Sequence, residues 1–336
     1  MRFGPDGAGR IFAAVVAMAS SFRPPLDRLG FHRLSAALLA LQIGALLLAI
    51  WAFWVTGLSF LWRGLLPLLP FPAIAVVAWG YLVWMPGRKA NTWIYAEMFL
   101  IFVLLFAVTD IVVPAQYAAA ALGRPLADPW LAAADAALGV HVPTLVLWTR
   151  THPWLIRVLS LSYNSLIPQL FLLVFLLGFW YRDRATLWEY AFHYHVCLVG
   201  AIVCFALFPA ACPFSFYGFE SILDHTRFLA HFGGVRAGLM TAVDPSNTEG
   251  LVSFPSFHTA GALMATWAVR RSRIWLTLLG VLNMGLIAAT VLLGIHYVID
   301  LLGAVALCGV SLALYRVLVP IAKPAAAGEI LRPVAA

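Results

Sequence analysis

The sequence predicts an all-α fold, a polytopic membrane helix bundle of about eight transmembrane helices, and three observations predict it. Of the 336 residues, 63% are hydrophobic and 10% charged, a balance far from that of soluble domains. Apolar stretches recur at about the length of a bilayer crossing, ~20 residues. Lysines and arginines fall at the ends of those stretches and form no stripe, so the formal net charge of +7 marks topology and implies no nucleic-acid partner.

Taken in order, the chain opens with a short apolar run, 11–19, after Arg10 and before Arg23-Pro24-Pro25. Without a small-residue cleavage site it reads as an interfacial helix at the inner leaflet rather than a cleaved signal. Spans follow at 35–62 and 65–85, in an N-terminal region 1–90. Six more, at 93–113, 155–181, 187–208, 256–269, 274–293 and 294–319, make up a core, 91–320, before a cytoplasmic tail, 321–336. With the amino terminus inside, inner segments hold 15 of the 21 basic residues, which orients the bundle with both termini cytoplasmic.

Two outer segments are long. In 114–154, Asp128-Pro129 starts an amphipathic helix that Gly139 stops. Leu131, Ala134 and Leu138 share one face with Asp135 on another, as in a helix lying on the membrane surface at the rim of a cavity. In 209–252 lie His225, Arg227, His231 and Arg236. Arg236, within the flexible GGVRAG, is a candidate anion contact. Among polar residues inside spans, Asp110 near an outer end and Tyr163 are further candidate substrate contacts. His193 and His195, toward the inner half, read as neutral histidines bonded between helices. The four cysteines have no metal-ligand spacing, and Cys212 alone is expected to be exposed outside, so no disulfide framework follows.

The chemistry concentrates in two short motifs, SFPSFHT (253–259) and GIHYVID (294–300). His258 and His296 are 38 positions apart, about two crossings, with three arginines at the turn between them. A turn so basic faces inward, which returns both histidines to the outer surface. His296 and Asp300 are i and i+4, on one helix face. A hydrogen bond from one ring nitrogen to Asp300 would leave the other nitrogen's lone pair free to attack. Ser256, Phe257 and His258 begin a span, where free N–H groups and the helix dipole favour an anion. Ser256 adds a hydroxyl and His258 an acid–base group. No cluster of further ligands accompanies them, so no metal is expected.

SFPSFHTA and GIHYVIDLLGA resemble the second and third signature motifs of the type 2 phosphatidic acid phosphatase superfamily. PSFH and GxHYxxD resemble the branch containing fungal inositol phosphorylceramide synthase. SYNSLIPQ (162–169) and DPWLAAADAALG (128–139) resemble that branch's bacterial members. The resemblance covers about 110–303. It implies a six-helix phosphatase-like core from Trp93 onward, with His296 as nucleophile, Asp300 as its orienter and His258 as acid–base. The superfamily's first motif, a lysine followed seven residues later by Arg-Pro, is missing. Thr290 stands six positions before His296, where the third motif usually has arginine. With fewer cations, a phosphodiester suits the site better than a phosphomonoester.

The activity so implied is transfer of a phospho-headgroup from a phospholipid to a lipid alcohol through a phosphohistidine, at the extracytoplasmic face of a bacterial inner membrane. Membrane lipids are the expected partners, and no cofactor is expected. Hydrolysis of a lipid phosphomonoester is the alternative. A lipid transporter is a more distant one, since no matching broken helices occur in two halves.

Overall fold

The structure, a computed structural model, describes residues 28–85, 92–220 and 222–319. The expected interfacial helix at 11–19, the tail 321–336 and seven residues counted on the inner side (Arg2, Arg10, Arg23, Arg88, Lys89, Lys323 and Arg332) lie outside the described residues.

Helices make up most of the fold. They are α1 (Arg28–Thr56), α2 (Pro70–Trp84), α3 (Thr92–Ala121), α4 (Asp128–Ala137), α5 (Val142–Arg150) and α6 (Pro153–Asn164). After them come α7 (Leu166–Phe175), α8 (Arg184–Leu207), α9 (Thr226–Arg236), α10 (Phe257–Ala268), α11 (Arg273–Leu292) and α12 (Val298–Leu318). Among the described residues the one sheet is a parallel pairing of Ser59–Phe60 with Ala242–Val243. It ties the loop after α1 to the segment after α9.

Among the described residues five helices, α1, α3, α8, α11 and α12, are long and apolar enough to cross a membrane, or seven spans if each of two bent pairs counts as one. Eight continuous spans were expected, and the differences have physical causes. The expected span 155–181 is bent by 44° between α6 and the helical stretch that follows. Pro168 has no N–H to give the Asn164 carbonyl, and its ring crowds that carbonyl. The expected span 256–269 is the 12-residue α10, only ~18 Å long. It sits among α8, α11 and α12 as a short buried helix. Helix α2, at 15 residues, is also shorter than its predicted span.

Helix α8 is the central post. Its residues from Thr186 to Leu198 are buried, with Trp188, Tyr190, Phe192 and Tyr194 filling the core against Ile101 and Leu105 of α3 and Ala262 and Ala265 of α10. Histidines 193 and 195 are bonded between helices as expected, to Ser311 of α12 and Gln42 of α1. At the end of the bundle away from His258 and His296, the basic turn is tied down rather than solvated. Arg270, 7% exposed, pairs with Glu189 at 2.7 Å and lies over the Trp267 ring at 4.3 Å. Arg271 pairs with Asp183 at 2.8 Å. These pairs close α8 against the α10–α11 turn.

Candidate active site

Two helix starts meet at the site end. Ser256 caps α10, its Oγ accepting the Thr259 N–H at 3.2 Å. Its own N–H donates to the Asp300 carbonyl at 3.2 Å, so the two motifs are bonded directly. Ahead of α12, Gly294 has φ +86°, and a Cβ there would stand 2.8 Å from the Phe219 ring, which excludes other side chains. The chain then turns so that Ile295 and His296 both donate their N–H groups to the Thr290 carbonyl, at 3.0 and 2.8 Å. Thr290, where the motif comparison led one to look for an arginine, therefore acts through its backbone.

Asp300 is fully buried, and its Oδ2 gathers three partners: Tyr297 N–H at 3.0 Å, Ser253 Oγ at 3.2 Å and His296 Nδ1 at 3.1 Å. A carboxylate oxygen accepts, so His296 carries its proton on Nδ1 and exposes a lone pair on Nε2. The His258 and His296 rings are 6.1 Å apart, centroid to centroid. Tyr163 stacks on His258 at 4.1 Å and 14°, which fixes the plane of that imidazole. Phe257 meets Tyr194 edge-on at 6.1 Å.

His258, His296, Tyr163 and Phe257 share the wall of one cavity of about 610 Å³. It runs from the histidines down between α3, α7 and α8 as far as Tyr194, past Val112, Ile167, Phe171 and Leu198. The charged residues on its wall are Asp224 and Glu249, and no lysine or arginine lines it among the described residues. Glu249 is held by Arg227 at 2.9 Å.

Three expected contacts stand elsewhere. Ser256 is buried behind the wall, its oxygen occupied by the cap. Arg236 donates to the Arg124 carbonyl at 2.9 Å and covers the Phe232 ring. Asp110 is half-buried one residue beyond Thr109, which does line the cavity. Cys212, expected to be exposed, is 3% exposed and faces the cavity from a backbone at φ +71°. The neighbouring bonds from Ala211 N–H to Asp128 and from Ala127 N–H to the Pro209 carbonyl draw this stretch inward.

The largest correction concerns α4. Asp135 was expected on a face apart from Leu131, Ala134 and Leu138, but is 1% exposed and buried on the same side as Leu131. Its carboxylate accepts the Val298 and Ile299 N–H groups at 2.9 and 2.8 Å, two of the unpaired donors at the start of α12. Asp128 does not cap its own helix. It accepts Ala211 N–H at 2.8 Å and Tyr297 Oη at 3.0 Å. Leu138, meanwhile, is 53% exposed. The helix thus turns Asp128 and Asp135 to the protein together with Leu131 and Ala132, and shows Trp130 and Leu138 outward. The i, i+7 spacing of Asp128 and Asp135 was the available signal, since it puts them on one face two turns apart.

Fold and site together define a polytopic membrane protein with a histidine-lined chamber at one end of its bundle. The family model described as PAP2 superfamily matches residues 129–314, more than half the chain and both histidine motifs. The chain belongs to the PAP2 superfamily, whose members are phosphatases and phosphotransferases. No curated protein and no solved structure matches it.

Proposed function

We propose that the protein is a lipid phosphotransferase resembling inositol phosphorylceramide synthases, which moves a phospho-headgroup from a phospholipid diester to a lipid alcohol through a phosphohistidine. The observation that carries this reading is the placement of His258 and His296 on one apolar cavity wall with Asp300 bonded behind His296. His296 Nε2 attacks phosphorus, forming a P–N bond as the P–O bond to the diacylglycerol oxygen breaks. His258 enters as imidazolium, a form favoured beside an anionic phosphodiester, and gives its proton to that oxygen. The Nδ1–H bond to Asp300 supports the positive charge that His296 then carries. Neutral His258 next takes the proton of the acceptor hydroxyl, whose oxygen displaces His296 from phosphorus and restores both rings. The amino-terminal turn of α10 favours the transferred anion.

A wall without lysine or arginine among the described residues suits the single charge of a diester better than a phosphomonoester's ~1.5 to 2 charges. Apolar walls reaching to Tyr194 suit acyl chains and a lipid acceptor. The distribution of basic residues supports a reaction at the outer face. Purified protein given chain-labelled phospholipids should convert the diester to diacylglycerol and a new phospholipid when a lipid alcohol is present. Inorganic phosphate released from phosphatidic acid as the only product would instead make this a lipid phosphatase.

A further inference from the structure

A second cavity, of about 620 Å³, adjoins the one that holds the histidines. Phe214, Leu223, Asp224 and His225 line both cavities, which therefore meet at these side chains. The His225 ring lies on the Phe214 ring at 4.7 Å and 19°, and Phe214 is braced edge-on by Phe228 at 5.5 Å. The Nε2 atom of His225 is enclosed and has no hydrogen-bond partner among the described residues. Burial holds this ring below the ordinary imidazole pKa against the opposing pull of Asp224, and charge on His296 acts in the same direction as burial. Burial thus favours the neutral form of the His225 ring.

The two chambers differ in chemistry. The first is long and apolar and reaches into the bundle. The second opens beside the Pro213–Phe216 turn and the start of α9, and its polar wall is Ser215, Glu220, Asp224 and Thr226. Asp224 Oδ1 already accepts the Thr226 N–H and Oγ1, at 3.0 and 2.7 Å, which leaves Oδ2 to meet a donor. No lysine or arginine lines this chamber among the described residues.

We infer that the second cavity is the headgroup chamber of the phosphodiester donor, with His225 and Asp224 selecting a headgroup that donates hydrogen bonds and carries no negative charge of its own. This rests on the phosphotransferase reading above. The donor's chains lie in the first chamber, its phosphorus stands at His296, and its headgroup passes His225 into the second. There the hydroxyls of a polyol or a primary ammonium meet Asp224 and the Ser215 and Thr226 hydroxyls. The unpartnered His225 nitrogen takes up the group nearest the phosphate.

The test uses the full chain with one lipid alcohol acceptor and donors of equal chain length. These are phosphatidylinositol, phosphatidylglycerol, phosphatidylethanolamine, phosphatidylserine and phosphatidylmethanol. Wild type should favour the polyol or the amine headgroup over phosphatidylserine by about tenfold or more in kcat/KM, and the polyol and amine arms show which donor it takes. Leu229→Trp, at a half-exposed position on the chamber wall, and Ser215→Phe fill the space. Each should cost about tenfold on phosphatidylinositol while phosphatidylmethanol, a diester with almost no headgroup, stays within about threefold. Asp224→Asn should narrow the gap between phosphatidylserine and the others, a ratio that does not depend on how much protein folds. Equal effects on phosphatidylinositol and phosphatidylmethanol, together with an unchanged phosphatidylserine ratio in Asp224→Asn, would overturn the headgroup chamber and leave the phosphotransferase reading standing. Failure of wild type on every diester, with phosphatidic acid hydrolysed, would overturn both.

Discussion

The Asp135 carboxylate accepts the backbone N–H of Ile299 at 2.8 Å, joining a surface helix to the start of the helix that carries Asp300. The same carboxylate takes the Val298 N–H, so the segment 296–300 is held from α4 as well as by its own turn. Outward, α4 shows Trp130 and Leu138, and inward it fixes the ring expected to attack phosphorus. Helix α4 and the His296–Asp300 segment are thus one mechanical unit.

Asp135→Ala would leave two helix-start N–H groups buried without partners, a cost of ~1–3 kcal/mol. The expected outcome is a lower Tm in detergent and a fall in kcat with little change in KM, because His296 is misplaced while the lipid cavity stays intact. Asp135→Asn keeps one acceptor oxygen and should fall between. Wild-type kcat in the alanine variant would show that α4 does not position the nucleophile.

Tyr163 and His258 stack at 4.1 Å, and such a pair contributes ~0.5–1.5 kcal/mol. Tyr163→Phe should keep near-normal turnover, since the ring and not the hydroxyl makes the contact. Tyr163→Ala should lose about two- to tenfold. The loss should shrink with a donor whose leaving group needs no protonation, which kinetics on a nitrophenyl diester lipid would reveal.

Glu189 and Arg270 form a buried pair at 2.7 Å, far from the cavity. Glu189→Gln or Arg270→Met alone strands a buried charge and should destabilise by ~3–5 kcal/mol, whereas the double variant should recover much of that. Thermal unfolding of the four proteins gives the comparison. In the folded fraction, kcat should not change.

The histidine pair was legible because two kinds of signal agreed: apolar length set the return, and the arginines at 270–273 marked the turn. Asp300 followed from i, i+4 spacing. The roles of Asp128 and Asp135 were hidden because α4 was read as a helix lying on the membrane surface, with Asp128 as its cap and Asp135 on a face away from Leu131, whereas Leu131 and both carboxylates are buried together. The shortness of α10 was hidden too, because composition does not show that Arg270 would be buried against Glu189. Arg236 and Asp110 sit in plausible stretches, but their side-chain directions are set by Arg124, Phe232 and the packing of α3, none of which spacing shows.

Orientation is open to a direct check. A cysteine at Asn247, on the exposed loop before the first motif, should react with an impermeant thiol reagent in intact cells, and one at Arg273, beside the basic turn, should not. Cys212 is buried and should contribute little background. The reverse pattern would put the histidines on the cytoplasmic side.

The central claim is that His296 becomes phosphorylated during transfer. Purified protein would be mixed with a phospholipid diester labelled in its phosphate, quenched in alkali within the first turnover and mapped by mass spectrometry. The account predicts an acid-labile, alkali-stable phospho-headgroup adduct on His296, released when a lipid alcohol is added, trapped longer in His258→Ala with an activated donor, and absent from His296→Ala. Turnover at near wild-type rate by His296→Ala, or stable label on another residue, would contradict it.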